Sequence, residues 1–505
     1  MLAADLVESG LVLPVLDGFD EIAGGLHRAA LTALNAADMP LVLTSRTGDY
    51  ATAVAGHRLL SNAAGIELAD LDLTDLANYL PRTTRRTSEP DTPWEPVLAE
   101  LRDRPHSDGS LILGPVLRTP LMVMLARTVY SDTPGRRPAE LLDRFDSSDA
   151  VEAHLLTGYI PTVYRDHPDP DRVRRWFTYL ARHLDELGTS DLAWWQLSAT
   201  AGLPARMLRV GIVTTLVTAL IDGLMNSLVF GFVLGLQLVA YLEVGLVAGP
   251  AFAIVYGLTI TLRGREFEPS RVHIRLPGAT RREREAPWPR CQAWALGGAA
   301  FGLVLGLMAG FAAWLGTGVA DVPVFTLCAL VYMLVFGVGA GLMSCLLTWF
   351  EAPLDLGSAV SPASLLAVNR TTVLLQVVLV GPLFGLLVAS GGWLGGSLAI
   401  ELSPSLHGGR YVFGLGAGLV FGAVGGLAGG FGYAFSLTTW GQWIAFTRIW
   451  LPLTGRAPWA LIAFLDQACR RGVLRRHGAV YQFRHPRLQE HLICSEREPM
   501  KPTAM

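Results

Sequence analysis

Three acids and an arginine supply the residue types of metal-assisted hydrolysis. Leu11-Val-Leu-Pro-Val-Leu16 is an apolar run that ends at Asp17-Gly18, and Phe19-Asp20-Glu21 follows at once. A continuous apolar run of this length, closed by turn residues, predicts a fully buried parallel strand. Open α/β sheets place ligands at the carboxyl ends of such strands, where Asp17 falls. A carboxylate there can hold Mg²⁺ through water, and Asp20 or Glu21 can orient or deprotonate the attacking water. A second apolar run, Pro40-Leu-Val-Leu43, ends in Thr44-Ser45-Arg46, polar groups suited to sensing developing charge. The plain alternative is a strand that leaves the core through an acidic turn.

Positioning these groups requires a βαβ unit, and residues 24–37 read as its amphipathic crossover helix. With 505 residues there is room for two to four domains. A hydrophobic share of 51% against 16% charge exceeds that of an ordinary soluble protein, and the excess is concentrated in residues 207–440. Runs of about 20 apolar residues there are long enough to cross a bilayer. Six spans are expected, at 223–241, 244–262, 293–317, 323–347, 371–390 and 411–437. Asp222 and Glu243 bracket the first and read as interface markers, with 207–221 an apolar helix near the inner surface.

The connection 263–290 holds eight arginines and the turns near 242 and 318–322 hold none. The positive-inside rule makes that loop cytoplasmic, which places both soluble ends in the cytoplasm, as six spans require. Asn369-Arg370-Thr371 matches a glycosylation sequon but falls at a cytoplasmic end. Gly298, Gly302, Gly306 and Gly310 repeat every four residues, as do Gly414, Gly418, Gly422, Gly426 and Gly430, and Gly245, Gly249, Ala253 and Gly257. Such repeats let helix backbones approach closely in lipid. Trp288, Trp294, Trp314, Trp349, Trp393, Trp440 and Trp443 fall where an aromatic belt would lie. No polar residues mark a pore or carrier site. No basic segment precedes an apolar core at the start, so no signal peptide is expected. The five cysteines lack metal-ligand spacing and read as packing residues. A net charge of −3 selects no partner class, and 39 arginines against the single Lys501 read as a GC-rich genome.

D-G-F-D-E-I together with V-L-T-S-R resembles the NACHT family of STAND-class signalling NTPases. The resemblance implies that Asp17 is the Mg²⁺ acid, Asp20 and Glu21 the catalytic acids, and Arg46 the sensor arginine. Thr119-Pro120-Leu121-Met122 resembles the family's helical-domain motif, whose proline packs on adenine. Tyr481-Gln-Phe-Arg-His485-Pro-Arg-Leu-Gln489-Glu490 resembles its winged-helix motif, whose histidine contacts the β-phosphate of ADP. His485 can equally be a surface histidine beside a helix start. The departure is the phosphate loop: no G-x-x-x-x-G-K-[ST] run exists. NTP hydrolysis is therefore expected only if that part is supplied, and the chain is expected to be the C-terminal part of a longer product.

The fold class implied is a partial P-loop NTPase α/β core with helical and winged-helix-like segments, into which an α-helical transmembrane bundle of about six spans is inserted. The expected domains are 1–60 (partial NACHT core), 61–149 (helical), 150–206 (first half of the winged helix), 207–440 (membrane) and 441–505 (its second half). The expected cofactors are ATP or ADP with Mg²⁺. The expected partners are the lipid bilayer of a bacterial inner membrane and further copies of the chain. The basic run 469–478 is assigned to lipid attraction rather than nucleic acid. The alternative function is a multi-pass membrane scaffold or channel-like protein with a degenerate NTPase remnant.

Overall fold

The computed structural model describes residues 11–19, 27–37, 39–55, 59–61, 63–84, 92–131, 135–230, 236–263, 267–272, 288–317, 322–353, 361–402 and 415–497. Helices dominate, and the chain divides into two compact units, residues 1–124 with 139–144, and residues 125–138 with 145–505.

The first unit opens with one βαβ element. β1 (Val15–Leu16) pairs in parallel with β2 (Val42–Leu43), and α1 (His27–Ala36) crosses between them. α2 (Thr47–Ala55) follows. Phe19, Leu31 and Ala53 form the small core, with Phe19 stacked on His27 at 5.1 Å and edge-on to Tyr50 at 5.9 Å. The expectation of a fully buried strand is not met: Leu11, Leu13, Val15, Leu16 and Val42 are exposed. A parallel strand reads as continuously apolar because both its faces need cover, and the described residues supply one partner strand and a few helix contacts. They form this one βαβ element rather than a P-loop NTPase core. The rest of the unit is helical. α3 (Leu73–Thr83) starts from a reciprocal Asp72–Asp75 capping box. α4 (Glu95–Asp103), α5 (Asp108–Val116) and the start of α6 (Pro120–Ser131) follow around Trp94, Leu98, Leu113 and Met122.

The second unit contains a soluble fold and a helical ring. In the soluble fold, α7 (Ser148–Val163) and α8 (Pro170–Leu187) precede the apolar helices in sequence. Its other elements follow them. They are α15 (Leu461–Arg470), the hairpin β5 (Leu474–His477) and β6 (Val480–Phe483), and α16 (Pro486–Arg497). Both stretches share one core, in which Phe177 packs on Phe464 at 5.1 Å and on Phe483 at 6.3 Å. Leu192 and Tyr481 exchange backbone hydrogen bonds of 2.7 and 3.1 Å, adding a bridge to the hairpin. Gln482 Nε2 donates to Asp191 Oδ1 at 2.6 Å, and Trp176 Nε1 donates to the Gly455 carbonyl at 3.1 Å.

Between these stretches run six long helices: α9 (Leu203–Phe230), α10 (Leu236–Arg263), α11 (Trp288–Thr317), α12 (Val322–Phe350), α13 (Pro362–Leu402) and α14 (Leu415–Leu437). Five are long and apolar enough to span a membrane over described residues, and α10 adds the apolar stretch Leu246–Leu262. Each packs on the next, and α9 packs on α14, so the helices close into a ring. Leu208, Ile212, Leu216, Leu220 and Leu224 are exposed along one side of α9, whereas Thr214, Thr218 and Asp222 are buried on another. That inverted pattern suits lipid outside and protein inside. It identifies a multi-pass membrane protein.

Three expectations change here. The first span is Leu203–Met225 rather than 223–241, because nothing breaks the helix between 203 and 230. Asp222, three residues before the end of that span, is buried at 8% exposure, and residues 207–221 belong to the span. Trp294 and Trp443 are interior residues, not members of a belt, while Trp288 and Trp393 are exposed. Cys291 and Cys345 are disulfide-bonded between α11 and α12, leaving Cys328, Cys469 and Cys494 free.

The glycine repeats pack as their spacing predicts. A Cβ on Gly298 or Gly302 would overlap the Phe336 or Tyr332 carbonyl of α12, and one on Gly426 would lie 2.5 Å from the Gly381 carbonyl of α13. Gly249 meets α9 the same way, whereas Gly257 faces the Met207 side chain.

Candidate functional site

Asp17 is held where two parallel strands end. Gly18 takes φ +82°, a left-handed conformation that glycine adopts without a Cβ penalty. The turn drops Phe19 into the core, and the Phe19 N–H donates to the Thr44 carbonyl at 2.9 Å. Gly18 N–H donates to Thr44 Oγ1 at 3.0 Å, and that hydroxyl donates in turn to Asp17 Oδ1. The Thr44 N–H closes the register on the Leu16 carbonyl at 3.0 Å. Asp17 and Thr44 are thus one constellation of exposed oxygens at the carboxyl edge of the βαβ unit. Thr44 stands in the T-S-R motif, but only strand register reveals it as the partner of Asp17.

The other expected residues are placed separately. Arg46 is exposed two residues beyond Thr44, and its carbonyl accepts the Tyr50 N–H at 2.9 Å in the first turn of α2. Asp20 and Glu21 lie outside the described residues. Pro120 is exposed at the first position of α6, where a missing N–H costs nothing. His485 lies between β6 and α16. Its Nε2 is buried without a hydrogen-bond partner among the described residues. Burial, with the positive charges of Arg484 and Arg475, holds its pKa below the usual imidazole range. Asp17, Arg46 and Pro120 belong to the first unit and His485 to the second.

An exposed carboxylate beside a hydroxyl offers hard oxygens suited to Mg²⁺ held mainly by water. Nucleotide phosphates fare differently. The 505 residues contain no glycine-rich turn carrying a lysine, and among the described residues no three His, Cys, Asp or Glu side chains gather as a metal site.

A second polar constellation lies on α13. Asn369, Thr372 and Gln376 of α13 are buried inside the ring, with Asn369 1% exposed. Asn369 Nδ2 donates to the Ser270 carbonyl at 3.3 Å, and the Tyr433 hydroxyl donates to Gln376 Oε1 at 3.0 Å. The strand pair β3 (Ser270–Val272) and β4 (Glu351–Pro353) is tied to this end of the ring, where Thr439 Oγ1 also donates to the Glu268 carbonyl at 2.9 Å. The spacing of three and four residues was the available signal. Single polar residues in a 20-residue apolar window scarcely change its average.

Compared with known proteins, the chain matches no family model, no curated protein and no solved structure.

Proposed function

We propose that the protein is a membrane-anchored, nucleotide-dependent signalling switch of the NACHT/STAND type. The observation that carries this reading is the Asp17–Thr44 pair at the carboxyl ends of two adjacent parallel strands. An acid and a hydroxyl side by side at that edge are what a water-mediated Mg²⁺ site requires. The uncovered strands lend support, since Leu13, Val15 and Val42 suit a larger sheet. On this reading a phosphate-gripping element comes from outside these 505 residues.

In the second unit, α7, α8, α15, the hairpin and α16 would act as the winged helix, with His485 as its nucleotide contact. The six-helix ring, inserted between its halves, would carry the state of that domain into the membrane. An even number of crossings returns the chain to the side it left, in keeping with soluble stretches that fold together. The eight arginines of 263–290 favour the cytoplasm for that side, in a bacterial inner membrane. Self-association rests on family analogy alone.

The test is the nucleotide content of the longest native form, purified in lipid nanodiscs. Wild type is expected to retain ADP or ATP, and Asp17→Asn combined with Glu21→Gln to lose Mg²⁺-dependent occupancy. Equal occupancy in both, or none in wild type, would leave the membrane-scaffold reading in its place.

A further inference from the structure

The chain leaves the ring through a short helical stretch with one apolar side uncovered. After α14 it passes through Thr439–Trp443, the π-helical Ile444–Trp450 and Leu451–Leu453. Ala445, Phe446 and Leu451 face the protein and are buried. Ile449 and Trp450 are exposed, Leu453 is 68% exposed, and Trp459 just beyond is 59% exposed. Arg448 Nη1 donates to the Trp459 carbonyl at 3.2 Å, which ties the two ends of this patch together. Exposed apolar patches with a polar rim mark interaction surfaces.

Three guanidinium groups supply the rim, each stacked on a ring. Arg209 of α9 lies 4.5 Å from the Phe446 centroid and 5.9 Å from that of Trp450. Arg448 lies 5.4 Å from the Trp443 centroid, and Arg456 lies 5.9 Å from that of Tyr179. None of the three has an ion-pair partner among the described residues. Arg209 Nε donates to the Ala205 carbonyl at 3.1 Å, whereas its Nη2 is buried and makes no hydrogen bond among those residues. Stacking covers the face of a guanidinium and leaves its N–H edge for an acceptor, and phosphate oxygens fit that edge.

Depth identifies the source of the phosphate. Arg209 is six residues into the span that starts at Leu203, about 9 Å along the helix axis. That depth is where headgroups give way to hydrocarbon. Leu208 and Ile212 beside it are exposed on the outer side of α9. Through the contact of Arg209 with Trp450, the patch continues the lipid-facing surface of the ring.

We propose that residues 444–459 lie in the headgroup layer and bind anionic phospholipid. Trp450, Leu453 and Trp459 meet the acyl boundary, and Arg209, Arg448 and Arg456 donate to lipid phosphates.

The experiment uses the full chain in phosphatidylcholine nanodiscs doped with phosphatidylglycerol, one chain to a disc. Hydroxyl-radical footprinting reads the apolar side chains, and mass spectrometry of detergent-extracted protein reads the retained lipid. Trp450, Leu453 and Trp459 are expected to be protected, and phosphatidylglycerol to be retained in preference to phosphatidylcholine. Arg209→Gln should lower that preference about fivefold, the effect of one arginine near a charged surface. Arg448→Gln and Arg456→Gln remove exposed charges and serve if Arg209→Gln does not fold. Free oxidation of Trp450 and Trp459 in one-chain discs would overturn the proposal. So would protection that appears only with two chains in a disc, which makes a second copy the occupant. No preference in wild type, or one that all three substitutions leave unchanged, would overturn it as well.

Discussion

Thr44 settles more at the βαβ edge than its place in the motif suggests. Its hydroxyl accepts from Gly18 and donates to Asp17, so it fixes both the turn and the carboxylate. Thr44→Val keeps the shape and removes both bonds. The first unit should lose about 1–3 kcal/mol, read as a lower urea midpoint by intrinsic fluorescence. His183 provides a second residue-scale test. It is buried, with Nδ1 3.2 Å from Thr200 Oγ1, and burial lowers its pKa from 6.5 to about 4. Its folded pKa lies below the unfolded one, so its contribution is complete above about pH 6.5 and is lost as pH falls toward 4. The loss amounts to roughly 3 kcal/mol. Melting of the second unit should show that decline, and His183→Gln should flatten it. The place of Asp17 at a strand end was legible because the apolar run stops there. The Thr44 bond was not, because it exists only across strands.

At the scale of elements, lipid-facing and protein-facing sides follow the four-residue repeats. Gly302→Leu should press its side chain against the Tyr332 carbonyl and separate α11 from α12. Such overpacking costs about 1–3 kcal/mol, to be read as a lower melting temperature in nanodiscs and a broadened size-exclusion peak. The same helix pair carries the Cys291–Cys345 bond. Alkylation of denatured protein without reductant should therefore add three groups, on Cys328, Cys469 and Cys494, and five after reduction. Five groups without reductant would contradict the bond. Most of the membrane helices were readable from apolar runs, since length and lack of charge suffice. The first span starts at Leu203, ahead of the expected 223, and was misplaced because Arg206 and Arg209 interrupt its apolar run near the start. The uncovered β1 face was likewise misread, because an apolar run records what a strand needs and not what covers it.

For the whole molecule, the central feature is a soluble fold whose two halves lie on either side of a six-helix ring in sequence. The interlocking of Leu192 with Tyr481 and of Asp191 with Gln482 means that the ring's first and last helices lead directly into one domain. Thr438 caps the helical stretch that follows α14, and Arg209 of α9 lies over Phe446 within it at 4.5 Å, so this stretch joins the ring to the soluble fold. The π-helical segment Ile444–Trp450 belongs to it, and such segments recur at functional sites. The order of elements was visible in the sequence because composition changes sharply near 207 and 440. The closure of the ring was not, because no local pattern states which helix meets which.

The most direct measurement is hydrogen–deuterium exchange of the longest native form in nanodiscs, with Mg²⁺ and either ADP or ATP. Exchanging one nucleotide for the other is expected to change protection at three places: the βαβ edge around Asp17 and Thr44, the hairpin around His485, and residues 437–453 beside the ring. Changes confined to residues 11–55, or none in any segment, would contradict a switch that reaches the membrane.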